Sequence, residues 1–140
     1  ILDKSAYRYY AETDDGDESW KVNAKQATAV VKAPVGELSV QYHKAVERWW
    51  MTALNRDKKR IVIRSSTDLR HWNASKKLIS CGASFQPNYG SCYGGFIHHW
   101  HLKENKITTV VSDWKTYNTF LVQIPFVRTA TTATCGDGPG

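Results

Sequence analysis

No apolar run in the 140 residues approaches the ~18 positions that a membrane-spanning helix needs, so no membrane partner is expected. No sustained basic block is present either. Nineteen Lys and Arg are scattered against thirteen Asp and Glu, for a formal charge of +6 and a pI near 9.3. That excess would help approach to a polyanion or an acidic cell surface, but dispersed charge serves solubility equally well, so nucleic acid is not implied. The chain has no Cys pair at zinc-finger spacing and no HExxH helix, and neither a metal nor a cofactor is expected. Cysteine itself is scarce. Cys81, Cys92 and Cys135 leave one over whichever pair forms, which in a secreted protein suggests a bond to another chain or a free thiol. Nothing after Ile1 reads as a signal or transit segment, which predicts a processed product whose start lies upstream.

What is present is an ordinary globular composition, 41% hydrophobic and 23% charged, at a mass of 15.9 kDa that suits one domain. Six Trp, seven Tyr and four Phe are many for this length. Such side chains favour pleated, half-buried surfaces and the lining of binding grooves, so a β-rich fold is expected. Asn73-Ala74-Ser75 is a glycosylation sequon, and with the cysteines it points to a secreted, extracellular glycoprotein.

The acidic, turn-rich residues 11–19 lie between Tyr7-Arg8-Tyr9-Tyr10 and Trp20 and predict a hairpin loop joining two strands. Asp14, Asp15 and Asp17 are spaced like the start of a calcium loop, but no bidentate Glu follows at the required offset. Leu38, Val40 and Tyr42 alternate with Ser39, Gln41 and His43 at strand spacing. Val46, Trp49, Trp50, Ala53 and Leu54 fit an amphipathic helix as well as a strand; a turn over 44–47 and a strand over 48–54 are preferred because the flanking segments alternate. A turn at 55–58, a β-branched strand over 60–65, a turn at 67–72 and a short edge strand over 78–80 complete a four-stranded meander, a blade-sized unit. The Gly-rich residues 81–95 read as a loop, which a Cys81–Cys92 bridge would staple. Strands over 96–102, 107–111 and 120–126 make a second set, and residues 129–140 read as an extended arm after a domain spanning 1–128. The predicted fold is all-β, with antiparallel four-stranded blades of a β-propeller. At this length the ring is partial, completed by another segment or chain; the alternative is a compact β-sandwich or barrel.

The string Gly36-Glu37-Leu38-Ser39-Val40-Gln41-Tyr42-His43 is followed in order by Arg48-Trp49, by Arg64-Ser65-Ser66-Thr67-Asp68-Leu69 with Trp72, by Tyr93-Gly94-Gly95-Phe96-Ile97-His98, and by Ser112-Asp113-Trp114 with Tyr117-Asn118. This succession, over about residues 34–127, resembles the secreted family of domain of unknown function 4185. The resemblance implies a five-bladed propeller, of which this chain holds the C-terminal two to three blades, and a glycoside hydrolase acting on arabinan. It also gives Cys135 a role, as a disulfide to the absent part.

Glycoside hydrolysis needs one carboxyl group to protonate the leaving oxygen and another to activate water or attack the sugar. Glu37 and Asp113 are the candidates, because both sit at strand ends beside the family-like motifs. Each has a competing structural role: Glu37 can pair with a neighbouring Arg, and Asp113 can cap the turn before Lys115. His43, His98, Trp100, Trp114, Tyr93 and Arg64 are candidate substrate contacts for a polysaccharide or glycan. A strand places His99 on the face opposite His98 and Trp100, which argues against one metal held by the run of His98, His99 and His101. Two other readings remain open, a non-catalytic glycan- or protein-binding effector module and a small basic secreted nuclease or toxin.

Overall fold

The computed structural model describes residues 3–82, 92–98 and 106–125. Tyr9–Glu12 (β1) and Glu18–Lys21 (β2) pair antiparallel in a two-stranded sheet, on either side of the acidic loop. Tyr10 and Trp20 are cross-strand partners with rings meeting edge to face at 5.9 Å. Of the hairpin residues only Ala11 is buried.

A second sheet follows as a simple meander of Leu38–His43 (β3), Arg48–Asn55 (β4), Arg60–Ser66 (β5) and Lys76–Ser80 (β6), in the order β3-β4-β5-β6. The ambiguous stretch around the paired tryptophans is a strand. Its neighbours supply the reason: β4 is flanked on both sides, pairing Val40 with Met51 on one edge and Met51 with Arg64 on the other. Residues 51–55 are all buried, so the segment has no solvent face for a helix to present. The β3–β4 connection is a 3-10 turn, Lys44–Val46, closed by Glu47 in the left-handed region at φ 50. In the β4–β5 turn the Asn55 carboxamide oxygen accepts from the Lys58 backbone N–H at 3.0 Å.

Cys92–Ile97 (β7), Lys106–Asp113 (β8) and Thr119–Pro125 (β9) form a third antiparallel sheet in that order. β7 begins at Cys92, four residues before the expected start at Phe96, because Gly94 and Gly95 sit inside the strand rather than in a loop. They form a bulge at φ 79 and 97, where a side chain would be strained. The expected extension to 102, the turn before Lys106 and the C-terminal arm with Cys135 lie outside the described residues.

The second and third sheets share the core. Leu54 and Ile61 pack with Cys81, Cys92 and Val111, and Ile63 packs with Ile97 and Ile107. Two polar contacts fix the approach: the Thr52 hydroxyl donates to the Gly95 carbonyl, and the Ile97 N–H donates to the Ser39 hydroxyl at 3.1 Å. Thr52 is fully buried, so this bond satisfies a group that would otherwise cost about 1–3 kcal/mol. A disulfide joins Cys81, just after β6, to Cys92 at the head of β7, with Cα atoms 4.8 Å apart. Closing a loop across 11 positions, it is worth roughly 3 kcal/mol in the chain-entropy view. The fold is all-β, and no α-helix occurs among the described residues.

Candidate functional site

Antiparallel pairing brings the start of β3, the end of β4, the end of β6, the start of β7 and the end of β8 to one end of the paired sheets. There a cavity of about 390 Å³ is lined by Glu37, Leu54, Arg56, Lys59, Cys81, Cys92, Tyr93 and Trp114. Leu54 and the disulfide make an apolar wall. Trp114 is 57% exposed and meets Tyr93 edge to face at 5.1 Å, with Tyr117 a further 5.9 Å from Trp114, so the aromatic rings form a shelf at the mouth. Charge enters through the Glu37 carboxylate and the Arg56 and Lys59 cations.

Glu37 stands immediately before β3. The Leu54 N–H donates to its carbonyl at 3.0 Å, and Gly36 donates to the Leu54 carbonyl at 2.8 Å. A Cβ on Gly36 would lie 3.0 Å from that carbonyl oxygen, so glycine lets the chain run close to β4 without a shift of either strand. The Arg56 guanidinium donates to Glu37 Oε1 at 2.9 Å, while Oε2 is buried and has no hydrogen-bond partner among the described residues. Glu37's own backbone N–H, and after it Arg56, hold the carboxyl below its ordinary value against the opposing effect of burial. Glu37 is therefore ionised at neutral pH.

Asp113 immediately precedes Trp114 in the chain, but its carboxylate is occupied. The Thr116 hydroxyl donates to Oδ2 at 2.6 Å and the Thr116 N–H at 3.1 Å, and the Lys115 N–H donates to Oδ1 at 3.3 Å. The Thr116 hydroxyl is the main reason the carboxyl is held below its usual range. Asp113 is fully buried and does not line the cavity. Both competing structural roles are thus realised: Glu37 pairs with Arg56, and Asp113 caps the turn that presents Trp114.

Of the candidate contacts, Tyr93 and Trp114 join Glu37 at the cavity. His43 is 1% exposed at the far end of β3, about 20 Å along the strand from Glu37, and does not join it. His98 follows β7 and lines neither cavity. Arg64, on β5, lines a separate cavity together with Asn73. The Asn73 carbonyl accepts from Arg64 at 3.0 Å, and its exposed side-chain amide donates to the Ser65 hydroxyl at 3.0 Å. Trp100 and Cys135 lie outside the described residues. Arg56, Lys59 and Leu54 are the cavity residues the motif reading passes over. The 55–58 turn signal placed two of them beside a loop; pairing with β4 sets Leu54 opposite Glu37, and Arg56 reaches Glu37 from the turn that follows.

A second cluster joins the N-terminal hairpin to the loop between β5 and β6. Arg70 bonds Glu18 of β2, and the Asp68 carboxylate accepts from His71 Nδ1 at 2.7 Å. His71 Nε2 lies 3.6 Å from Glu12 of β1, whose other oxygen accepts from the Tyr10 hydroxyl at 3.0 Å. The backbone N–H of His71 is the largest of several donors that hold the Asp68 carboxyl far below its usual range, and Asp68 in turn raises the imidazole of His71.

No curated protein matches the chain. The family model described as Domain of unknown function (DUF4185) matches residues 1–123, extending the expected likeness from about residue 34 back through the hairpin to the first residue. With nearly its whole length inside that match, the chain belongs to this family of unknown function.

Proposed function

We propose that the chain is a carbohydrate-active domain that takes a polysaccharide of the arabinan type in the cavity beside Trp114. The observation that carries this reading is the pairing, on one recess of about 390 Å³, of an exposed aromatic shelf with a carboxylate that keeps one buried oxygen unpartnered. A sugar ring supplies what both lack, a C–H face to pack on the indole and hydroxyl donors for the carboxylate. In the same reading the two larger sheets are blades of a five-bladed propeller. The Cys81–Cys92 bridge and the sequon at Asn73 suit an extracellular glycoprotein, and Cys135 links to a further segment or chain.

Recognition comes before cleavage in this proposal, for a chemical reason. Hydrolysis requires a carboxyl that is protonated before the bond breaks as well as an ionised one. Glu37 is held ionised, which suits a base or nucleophile, and the Asp113 carboxylate is ionised and engaged by its own turn. A hydrolytic form therefore needs a proton donor other than Glu37 and Asp113, whereas a binding module needs nothing further.

Affinity electrophoresis in linear arabinan tests the reading. Trp114→Ala is expected to weaken retention about tenfold. Retention equal to that of the parent chain would remove the cavity from sugar binding. If sugar is released, Glu37→Gln should abolish release while retention falls no further than in Trp114→Ala; unchanged release would exclude Glu37 from the chemistry.

A further inference from the structure

The second cavity, of about 410 Å³, opens on the seam between the two larger sheets. Antiparallel register sets Trp50 beside Ser65 and Thr52 beside Ile63. Trp50, Ser65 and Ile63 therefore share the face whose Thr52 bonds Gly95 of the three-stranded sheet. On that facing sheet Ile107 and Ile124 are cross-strand partners, and Ile107 joins Ile63 in one buried cluster. The apolar floor is thus Trp50 and Ile63 against Ile107 and Ile124, with Leu78 of β6 beside them. Trp50, Leu78 and Ile124 are only half-buried, so the seam is not closed at this flank. Asn73 is exposed on the rim and held at three points. Its N–H donates to the Ser65 carbonyl at 2.9 Å, its carbonyl accepts from the Arg64 guanidinium at 3.0 Å, and its side-chain amide donates to the Ser65 hydroxyl at 3.0 Å. The first two bonds fix the backbone. The third turns the side chain toward the face that Ser65 shares with Trp50.

We infer that the first N-acetylglucosamine of a glycan on Asn73 folds back into this cavity and closes the seam, which makes the sugar part of the fold. The inference rests on the glycoprotein reading given above. Asn73-Ala74-Ser75 lies in an irregular stretch just before β6, the exposed setting in which such a sequon is modified. In the attachment, Asn73 Nδ2 bonds C1 of the sugar, the C1–O bond to a lipid diphosphate carrier breaks, and one amide hydrogen leaves as a proton. The nitrogen keeps its other hydrogen, so the bond to Ser65 can persist and aim the sugar along the same face. An N-acetylglucosamine ring supplies what the floor lacks, a C–H face for the Trp50 indole and an acetyl methyl for the isoleucines, while its hydroxyls stay in water. The volume falls within the range of roughly 300–1,000 Å³ that takes a small ligand. A tethered sugar needs little affinity of its own, because the linkage holds it at high effective concentration.

The test uses the full chain secreted from a eukaryotic host, with peptide mass mapping to establish the occupancy of Asn73. An endoglycosidase that leaves a single N-acetylglucosamine gives the form to compare with Ser75→Ala, which abolishes the sequon but keeps Asn73 and its three bonds. With the single sugar the unfolding equilibrium constant should be about fivefold smaller, raising the urea midpoint by about 0.5 M. In the same form the acetyl methyl should give NOE cross-peaks to the Trp50 indole and to Ile124, a readout that needs no substitution. Occupied Asn73 with equal midpoints, or with an acetyl methyl that shows no cross-peak to the cavity, would overturn the inference alone. An unmodified Asn73 would overturn it together with the glycoprotein reading. Neither outcome bears on arabinan binding, because the cavity beside Trp114 shares no lining residue with this one.

Discussion

Replacing Gly95 by alanine should test how closely the two larger sheets are fitted. A Cβ at this position would lie 2.8 Å from Ile61 Cγ2 and 2.9 Å from Cδ1, and Ile61 is fully buried on the facing strand. Both are terminal methyls, but they belong to a stiff β-branched side chain that is fully buried and has no room to swing aside. Overpacking of this kind costs about 1–3 kcal/mol. Holding a non-glycine residue at φ +97 adds about 1–3 kcal/mol of backbone strain. The sum, about 4 kcal/mol, is a large part of the ~5–15 kcal/mol by which a domain is stable. With a urea dependence of about 2 kcal/mol per molar, the unfolding midpoint should fall by about 2 M. Ile61→Ala separates the two causes. It removes the carbons that Cβ would strike, so in that background the glycine substitution should cost only its strain, and the two changes should be non-additive by about 1 kcal/mol or more. The reasoning fails if Gly95→Ala costs under about 1 kcal/mol, or if the two costs simply add.

Other outcomes follow from the same contacts. Thr52→Val keeps the shape but leaves the Gly95 carbonyl without its donor, and should destabilise by about 1–3 kcal/mol in the same urea assay. Cys81→Ser with Cys92→Ser should cost about 3 kcal/mol and, because both residues line the sugar cavity, weaken arabinan retention along with stability. Attachment of the hairpin should depend on pH with two limits. Asp68 is depressed, so its contribution is present above the ordinary value of 3.8 and is lost as pH falls through its lower folded value. His71 is raised, so its contribution is present below 6.5 and is lost as pH rises through its elevated folded value. Protection of the β1 and β2 amides against hydrogen exchange, relative to the unstructured rate at each pH, should be greatest between these limits, and an NMR titration of His71 should show a midpoint above 6.5 that falls in Asp68→Asn. A midpoint unmoved by that substitution would separate the imidazole from Asp68.

The strands were legible where local pattern and tertiary setting agree. Alternation through Leu38, Val40 and Tyr42, and the β-branched run Ile61-Val62-Ile63, need only a half-buried or buried sheet to express them. Around Trp49 and Trp50 the periodicity fits two structures, and what decides is flanking pairing that no window of sequence contains. At Gly94-Gly95 local reading failed for a definite reason. Glycine pairs signal loops, yet here they give the backbone its bulge and let Ile61 approach. The site divides in the same way. Glu37, Tyr93 and Trp114 were visible as motif residues at strand ends, whereas Arg56 and Lys59 depend on a register. The link of His71 to Glu12 spans most of the first two sheets, and nothing in the spacing of either residue announces it. His43, a candidate contact in the sequence, is carried by the length of β3 to the opposite end of the sheet from Glu37.

The disulfide has a consequence for how the protein is handled. Because Cys81 closes one sheet and Cys92 opens the next, the bond acts as a clasp at a single corner, away from the contact between Ile63, Ile97 and Ile107. Material made in a thiol-rich cytoplasm, or stored with reductant, should keep its strands yet leave that corner ajar. A negative sugar-binding result from such a preparation would report on the buffer rather than on the polypeptide.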